Sequence, residues 1–470
     1  MSEKPGTPGN PLRVAIVGSG PAGFYAAEQL LRTEVVVEVD VYDRLPTPFG
    51  LVRAGVAPDH PKLKSVIRVY EKTAAREGFR FFGNIHVDSH IAAAELAERY
   101  HAVIWSYGAE SDRHLGIPGE DLPGSHPATA FVGWYNAHPD YADLSFDLSH
   151  ERAVVVGNGN VAMDVARMLA LGADELRATD VADHAIEVLE RSNVREIVVL
   201  GRRGPAQAAF TNPEILELGK MRDADCIVDS ADVEIDPLSQ AYLESDDADI
   251  TARKNVEILR EFAGREPEGK PKRIVLRFLA SPVEIHGDGK VEGLTIGKNE
   301  LARDDSGALR ASDTGERETL ECGLVLRSVG YKGRGVDGLP FDERRGVIPN
   351  EGGRVIEPEG SGAVPGHYVA GWIKRGPSGV IGTNKKDAQE TVDALLADAE
   401  SGGLSAEVPD AAAVAEWLAE RAPDHVTYAG WEAIDSAERE RGEPLGRPRV
   451  KFVRVDEMVE AARAGAPVSG

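Results

Sequence analysis

The residues best suited to chemistry form a glycine-rich turn that follows a short apolar strand and opens a helix. Gly18, Gly20 and Gly23 give the pattern G-x-G-x-x-G. In such a turn the first glycine lets the chain reverse, the second lets the backbone approach a pyrophosphate, and the third lets the helix pack on the strand. The helix N-terminus then faces the phosphate charge. Taken alone, the pattern fits a ligand-free turn as well as a dinucleotide site.

An acidic residue at the end of the next strand favours the dinucleotide site. The strand at residues 35–43 is rich in valine and ends with Asp43, 25 residues after Gly18. An acid about 20 residues after the first glycine accepts a ribose hydroxyl, and its charge repels a 2′-phosphate. We therefore predict that the first site holds FAD or NAD, and not NADP.

The same pattern starts again further along the chain. Gly157, Gly159 and Ala162 form G-x-G-x-x-A directly after the apolar strand 152–156. Two such units in one chain are much more specific than one. They indicate two dinucleotides, or one cofactor and one cosubstrate.

Two arginines occupy the place that the acid has in the first unit. Arg202 and Arg203 follow the strand 196–200. Guanidinium groups pair bidentately with phosphate, so this site is predicted to favour NADP; a surface arginine pair is the alternative. Arg202 lies 45 residues after Gly157, about twice the usual spacing, and we attribute the excess to an inserted charged helix within 172–194.

Composition limits the protein class. The 470 residues suffice for two or three domains. The formal charge of −25 argues against nucleic-acid or anionic-membrane binding. The chain has no secretory signal pattern and no uncharged apolar run of about 18 residues. We therefore expect a cytoplasmic protein without a membrane span.

The rest of the chain carries patterns that predict further elements of these units. They are an ordered loop over 44–62, an amphipathic helix over 62–76, paired short strands over 79–87, a helix over 92–100, a buried strand over 101–107, an acidic surface segment over 223–249, antiparallel strands over 273–279 and 291–296, a buried strand over 324–330, a strand over 367–372 and a helix that begins at 379–383 beside the first cofactor.

Five stretches together resemble the adrenodoxin-reductase family of ferredoxin–NADP⁺ reductases, in its bacterial branch. They are VAIVGSGPAGFYAA, RLPTPFGLVRAGVAPDHPK, VVGNGNVAMDVARML, GRRGPAQAAFTNPE and GWIKRGPSGVIGTNKKDAQET. They occur in the family's order and span nearly the whole chain, and the last two are the most specific. Asp43 stands where a glutamate is common, which keeps the acidic role.

The resemblance implies an α/β fold with two Rossmann-like domains, an FAD domain made from 1–112 and 331–470 and an NADP domain, 113–330, inserted in it. The implied FAD contacts are Gly18, Ser19, Gly20, Pro21, Ala22, Gly23, Asp43, Leu51, Val87, Trp372, Gly379, Val380 and Ile381. The implied NADP(H) contacts are Asn158, Gly159, Asn160, Val161, Arg202, Arg203, Glu214 and Gly379. His60 and Glu214 are the candidate catalytic residues near the nicotinamide, and the resemblance leaves open whether they act chemically or only orient the ring.

The implied activity is hydride transfer from NADPH to flavin N5, followed by release of single electrons to a ferredoxin or similar iron–sulfur protein. That partner can supply a monooxygenase such as a cytochrome P450. We expect a monomer and no metal. Because ferredoxins are usually acidic, docking requires a local basic patch on this acidic chain. The candidates are Lys374 with Arg375, Lys385 with Lys386, 270–273, and the tail residues Arg447, Arg449, Lys451 and Arg454.

Cysteine usage bears on the alternatives. Cys226 and Cys322 are the only cysteines, and the sequence contains no C-x-x-C. This excludes a dithiol reductase on a related two-nucleotide fold, and it excludes a flavoprotein like the glutamate-synthase small subunit, which needs cysteine clusters. A non-catalytic flavoprotein that senses redox state through NADP(H) stays open.

Overall fold

A computed structural model of the chain describes residues 4–305, 307–357 and 362–465, in which strands alternate with helices. The strands are β1 (Leu12–Val17), β2 (Val37–Tyr42), β3 (Phe79–Gly83), β4 (Ala102–Trp105), β5 (Ser111–Asp112), β6 (Ser125–Pro127), β7 (Arg152–Val156), β8 (Glu196–Leu200), β9 (Ala224–Val228), β10 (Lys272–Arg277), β11 (Ala280–His286), β12 (Gly293–Arg303), β13 (Leu309–Glu321), β14 (Leu324–Arg327), β15 (Tyr331–Lys332), β16 (Asn350–Glu351), β17 (Arg354–Ile356), β18 (Ala363–Val369) and β19 (Val426–Thr427).

The helices cover the sheets and pack on their apolar faces. They are α1 (Pro21–Leu30), α2 (Leu51–Ala54), α3 (Pro61–Lys64), α4 (Ile67–Ala74), α5 (Ala93–Ala97), α6 (Ala128–Tyr135), α7 (Asn160–Ala170), α8 (Ala173–Arg177), α9 (Asp183–Glu190), α10 (Asn212–Leu218), α11 (Pro237–Glu244), α12 (Ile250–Ala263), α13 (Trp372–Arg375), α14 (Thr383–Ser401), α15 (Ala411–Arg421), α16 (Tyr428–Gly442) and α17 (Val455–Gly465). In the part of the chain just described, no helix is long and apolar enough to cross a lipid bilayer.

The first compact unit comprises residues 1–113 and 330–470 and contains an eight-stranded sheet in the order β16-β17-β18-β4-β1-β2-β3-β19. Neighbours from β18 to β3 run parallel, and the edge strands run antiparallel. Strand β1 reads LRVAIV and is buried almost throughout, because helices cover both faces of a parallel sheet. Helices α1, α4, α14, α16 and α17 pack on one face, and α5 and α15 on the other.

The second compact unit comprises residues 114–329 and contains a parallel six-stranded sheet in the order β6-β14-β7-β8-β10-β9. An antiparallel sheet of β11, β12 and β13 lies in the chain between β10 and β14 of the parallel sheet. In sequence, this unit interrupts the first. The predicted fold class, α/β with two Rossmann-like units, is confirmed.

The strand predicted over 273–279 exists, but its predicted antiparallel pairing is wrong. It is β10, which runs parallel between β8 and β9 instead of antiparallel to another strand. A period of two reports that one face of a strand is buried and says nothing of the direction of its neighbours. The acidic segment 223–249 was also assigned wrongly in part, because β9 lies within it and buries Ala224 and Val228.

Helix bounds differ from the predicted ones at four places. The loop 44–62 contains the short helix α2, and the helix predicted over 62–76 is split into α3 and α4. Ser65 accounts for the break, because its hydroxyl donates to the Lys62 carbonyl at 2.6 Å and competes with the helical backbone. The helix predicted over 92–100 is shorter, Ala93–Ala97. The excess spacing at 172–194 holds two helices, α8 and α9.

A buried ion pair fixes the 44–62 loop to the C-terminal part of the first unit. Arg53 donates both terminal nitrogens to the Glu438 carboxylate, at 2.9 and 2.5 Å. Glu438 is 0 % exposed and also accepts the Phe452 backbone N–H at 3.0 Å. The Arg53 guanidinium lies over the Trp431 ring, 5.0 Å from its centroid. The pair joins α2 to α16 through a site with little access to water.

We expect Glu438→Gln to lower the free energy of unfolding by about 3 kcal/mol, because it leaves the Arg53 charge buried without its counter-charge. Urea unfolding followed by circular dichroism measures the change. Glu432→Gln is the control, because Glu432 lies exposed on the same helix. Equal unfolding midpoints for the two variants would show that the pair is not a stabilising contact.

Candidate functional site

The turn after β1 has the steric features that were predicted for a pyrophosphate cradle. Gly18 has φ 106°, and a Cβ there would lie 2.6 Å from the Ser106 carbonyl. A Cβ on Gly23 would lie 2.1 Å from the Gly18 oxygen. At Gly20, the N-cap of α1, a Cβ meets no atom within 4 Å. The protein therefore requires glycine at the two outer positions, whereas at Gly20 the open space suits the approach of a phosphate to the helix N-terminus.

Asp43 closes this turn from the end of β2. Its carboxylate accepts the Ser19 backbone N–H at 3.0 Å, the Ser19 hydroxyl at 2.5 Å and the Leu45 N–H at 2.9 Å. Burial raises the pKa of Asp43, and the bonds from Ser19 and Leu45 oppose that rise. A carboxylate has about four acceptor positions. One remains for a ribose hydroxyl, so the residue fits its predicted role.

The loop after Asp43 lies against the turn in a conformation that the sequence analysis missed. Phe49 and Gly50 have φ of 83° and 48°. The Phe49 N–H donates to the Ser19 carbonyl at 3.0 Å, and a Cβ on Gly50 would lie 3.0 Å from Gly20 Cα. A positive φ at phenylalanine is strained, and the fully buried ring holds it in place. Leu51 follows, and 49 % of its surface is exposed. This exposed apolar side chain fits the predicted contact with a flavin.

The segment after β18 approaches the same turn from the other side. Gly371 has φ 81°, and a Cβ there would lie 2.6 Å from Ala22 Cβ. Because Gly371 bends the chain, the strand predicted over 367–372 ends at Val369 and Trp372 begins α13. The Trp372 ring stacks on Tyr331 at 5.7 Å between centroids.

The remaining predicted FAD residues lie in this unit. Gly379 and Val380 precede α14, which packs in the same core cluster as α1. Val380 is 57 % exposed, and Ile381 packs partly against that cluster. Pro21 is the first residue of α1, and Val87 lies in the opposite cluster.

The turn after β7 repeats the first turn. Gly157 has φ 120°, and a Cβ there would lie 2.1 Å from the Ser328 oxygen. At Gly159, the N-cap of α7, a Cβ meets nothing within 4 Å. Ala162 is fully buried where the first turn has its third glycine. Asn158 belongs to the turn itself, and Val161 lies in the first turn of α7.

The two arginines follow β8, and Arg203 borders a cleft of about 910 Å³. Arg202 is exposed and Arg203 is half-buried. Burial, reinforced by the neighbouring cations Arg202 and Arg310, lowers the pKa of Arg203. Asn160 joins the turn to the same region, because its side-chain oxygen accepts the Thr211 N–H at 2.8 Å. Cations held beside open space suit a phosphate ligand.

The two candidate catalytic residues have ordinary structural partners. Glu214, in the first turn of α10, is 8 % exposed and lies 3.4 Å from the Arg167 guanidinium, which also pairs with Asp164 at 2.6 Å. His60 precedes α3, and its carbonyl accepts the Leu63 N–H at 3.1 Å. Glu214 belongs to the second unit and His60 to the first. Their role at a nicotinamide stays a prediction.

One predicted docking patch is internal to the first unit. Lys374 is 7 % exposed and pairs with Asp387 at 3.3 Å and Glu390 at 2.7 Å. Arg375 pairs with Asp387 at 2.9 Å. Asp387 also accepts the Gly371 N–H at 2.5 Å. Lys374 and Arg375 therefore fasten α13 to α14, and the prediction that they face a partner is wrong.

The tail strip is also mostly internal. Arg447 and Lys451 are 8 % and 4 % exposed, and Arg449 pairs with Asp435. By contrast, Lys385 and Lys386 are exposed on the first turn of α14. Those two lysines remain as a basic candidate of the sequence analysis.

The two cysteines are unsuited to redox chemistry. Cys226 lies in β9 and Cys322 follows β13, and both are free thiols. Burial raises the pKa of each to about 12, so both stay protonated at neutral pH and are poor nucleophiles.

The fold and the repeated turns place the chain among oxidoreductases that use two dinucleotides. Residues 12–198 match the pyridine nucleotide-disulphide oxidoreductase family. NADPH-ferredoxin reductase FprA from Mycobacterium tuberculosis is 53 % identical over 462 residues, with 96 % of this chain and 98 % of the relative covered. The mitochondrial NADPH:adrenodoxin oxidoreductase of Arabidopsis thaliana is 41 % identical, with 96 % and 95 % covered.

A solved structure extends the similarity to three dimensions. Mycobacterium tuberculosis FprA in complex with NADPH superposes with a TM-score of 0.91 at 51 % identity, covering 97 % of this chain and 100 % of the other. This chain belongs to the adrenodoxin-reductase-like family of NADPH–ferredoxin reductases.

We expect Gly20→Ala to weaken FAD binding about 100-fold, because a methyl there blocks the phosphate from the α1 N–H groups. Gly159→Ala should weaken NADP⁺ binding similarly and leave FAD content unchanged. Both glycines have φ that alanine adopts, −74° and −89°. FAD absorbance per protein and NADP⁺ titration measure the two effects.

Gly23→Ala is the contrasting variant, because its methyl strikes the protein's own backbone. It should lower the melting temperature even of protein stripped of FAD. If Gly20→Ala binds FAD as tightly as the unaltered chain, the FAD pyrophosphate does not bind at this turn.

Proposed function

We propose that this chain is an FAD-dependent ferredoxin–NADP⁺ reductase. The observation that carries the proposal is the opposite charge placed after the second strand of two similar cradles. Asp43 closes the first, which disfavours a 2′-phosphate, and Arg202 and Arg203 follow the second, which favours one. One chain with these two cradles suits a flavin dinucleotide and a phosphorylated nicotinamide dinucleotide.

The cofactors follow the two units. We assign FAD to the first unit, residues 1–112 and 331–470, and NADP(H) to 113–330, bounds that the compact units support within one residue. When bound, FAD supplies the exchange between a hydride, taken from NADPH at N5, and single electrons. The two protonated cysteines, of which Cys322 is buried, support electron exit to a separate carrier.

The chain's own residues position the nicotinamide and provide a favourable electrostatic field near it. Helix α14 directs its N-terminal N–H groups towards the end near Gly379, and the partial positive charge there stabilises a nearby anion. Gly379 has φ 84° and carries no side chain to keep a nicotinamide away. His60 and Glu214 are proposed to orient the nicotinamide or hold a proton near it, since hydride transfer itself needs neither an acid nor a base.

The partner is a ferredoxin, which accepts electrons one at a time. We further propose that it supplies a monooxygenase such as a cytochrome P450.

The charge of −25 supports a monomer, because two copies repel each other, and light scattering tests this. Two unpaired cysteines suit the reducing cytoplasm.

Stopped-flow mixing of the flavoprotein with NADPH under anaerobic conditions tests the function. We expect rapid bleaching of the flavin absorbance and, on adding a [2Fe–2S] ferredoxin, rapid reduction of its cluster. If the protein is instead a non-catalytic redox sensor, the flavin should bleach too slowly for catalytic turnover. NADH is the matched control, because it differs only in lacking the 2′-phosphate.

We expect Arg202→Ala with Arg203→Ala to raise KM for NADPH about 100-fold and to leave KM for NADH within about threefold, because only NADPH carries the phosphate these cations bind. Steady-state reduction of ferricyanide measures both constants. Equal changes for the two coenzymes would reject the phosphate role.

We expect the second-order rate of ferredoxin reduction to fall about tenfold between low salt and 0.5 M salt, since electrostatic steering is screened. Lys385→Glu with Lys386→Glu should slow the reaction at low salt only. Lys254→Glu, an exposed lysine on α12, is the control. A rate independent of ionic strength would exclude electrostatic docking.

A further inference from the structure

The turn that carries Arg202 and Arg203 is held by a part of the chain outside the parallel sheet. The carbonyl groups of residues 201, 202 and 203 each accept one hydrogen bond from β11, β12 or the residue before β11. The donors, in that order, are Ala280 N at 3.0 Å, Asn299 Nδ2 at 2.8 Å and Leu279 N at 3.1 Å. Three successive carbonyls fixed in this way leave the turn little freedom.

Asn299 is shaped for this contact. It follows an irregularity in the pairing of β12 with β13, between Gly297 and Asn299, and a bulge of this kind re-aims a side chain. The side chain is 5 % exposed, and Nδ2 also donates to Ser281 Oγ at 2.7 Å. The backbone N–H donates to the Leu279 carbonyl at 2.7 Å. A buried amide thus links the hairpin to the arginine turn.

Leu279 contributes backbone strain at the same place. Its φ is 52°, in the left-handed region that a leucine rarely adopts. This conformation is the one in which its N–H meets the Arg203 carbonyl. Strain of this kind persists where the surrounding structure imposes it, and it clusters at ligand sites.

The same hairpin brings two further cations, Arg303 and Arg310, to the cleft that Arg203 borders. Arg310 lies on β13 opposite Ala302 of β12, and it borders the 910 Å³ cleft together with Arg203. Asp304 holds its Nε at 2.8 Å, while the side chain is 68 % exposed. The ion pair uses Nε, and Arg310 is close enough to Arg203 to contribute to the lowering of the Arg203 pKa.

We propose that the β12–β13 hairpin completes the 2′-phosphate site. Asn299 is a positioning residue that fixes Arg202 through its carbonyl, and Arg310 is a specificity residue that contacts the phosphate. This rests on the proposed NADP(H) site and extends it. Two arginines on one turn neutralise a 2′-phosphate only if both side chains are ordered, and ordering an arginine costs side-chain conformational entropy. A clamped backbone removes part of the freedom of the turn before the ligand binds, and a further guanidinium adds positive charge for the phosphate.

Isothermal titration of the FAD-loaded protein with two nucleotides tests the proposal without turnover. Adenosine 2′,5′-bisphosphate carries the phosphate in question, and adenosine 5′-monophosphate lacks it. Arg310→Ala should raise Kd for the bisphosphate about fivefold and leave Kd for the monophosphate unchanged, and the difference should shrink in 0.5 M salt. Arg317→Ala is the matched control, an exposed arginine of β13 that pairs with Asp313 at 2.6 Å.

Asn299→Leu tests the positioning role, since it keeps the volume and removes the donor. We expect Kd for the bisphosphate to rise about tenfold relative to the monophosphate, with FAD content and melting temperature recorded to detect misfolding. A residue that only stabilises the fold would weaken both nucleotides together. If Asn299→Leu fails to fold, Asn299→Ala, which removes the same donor without adding bulk, is titrated in its place, and an unchanged ratio of the two nucleotides in that variant overturns the positioning role.

The outcomes are distinct. Equal bisphosphate affinities in Arg310→Ala and Arg317→Ala overturn the role of Arg310, and an unchanged ratio of the two nucleotides in folded Asn299→Leu overturns the positioning role. If the unaltered protein binds both nucleotides equally well, the proposed NADP(H) site is wrong, and the proposed role of the β12–β13 hairpin is wrong with it.

Discussion

The architecture depends on access of a phosphate to the bare N-terminus of a helix, a requirement met twice by the same construction. In each unit a glycine with positive φ turns beneath the carbonyl of a serine that follows the neighbouring parallel strand: Gly18 under Ser106, and Gly157 under Ser328. Two residues later Gly20 and Gly159 leave open space. Because a side chain at Gly18 or at Gly157 would strike backbone, the geometry of each cradle is set by the protein and not by the ligand.

The cradles differ in how the residues after their second strands are held. Asp43 has a short side chain and is fixed locally by Ser19 and Leu45. Arg202 and Arg203 are long, and their order has to come from elsewhere. The backbone beneath them is held by hydrogen bonds from Leu279, Ala280 and Asn299, at the start of β11 and on β12 of the antiparallel sheet. This gives a physical reason for that sheet beside a complete Rossmann unit.

Much of the fold and part of the site could be predicted from sequence, because glycine roles and strand ends depend on local geometry. The direction of β10 could not, since alternation reports burial and not neighbours. The clamps at Phe49 and Asn299 were missed because each bonds a residue distant in sequence or adopts an unusual φ. The basic residues of 374–375 were misjudged for a similar reason: a sequence shows charge, but not that Asp387 already neutralises it.

The protonated state of Cys226 and Cys322 has a practical consequence. Hydrogen peroxide oxidises thiolates much faster than thiols, and peroxide forms whenever reduced electron carriers meet air. With both pKa values near 12, these sulfur atoms offer almost no target for sulfenic acid formation or alkylation. We therefore expect neither sulfur atom to need the protection of added dithiothreitol while the protein stays folded.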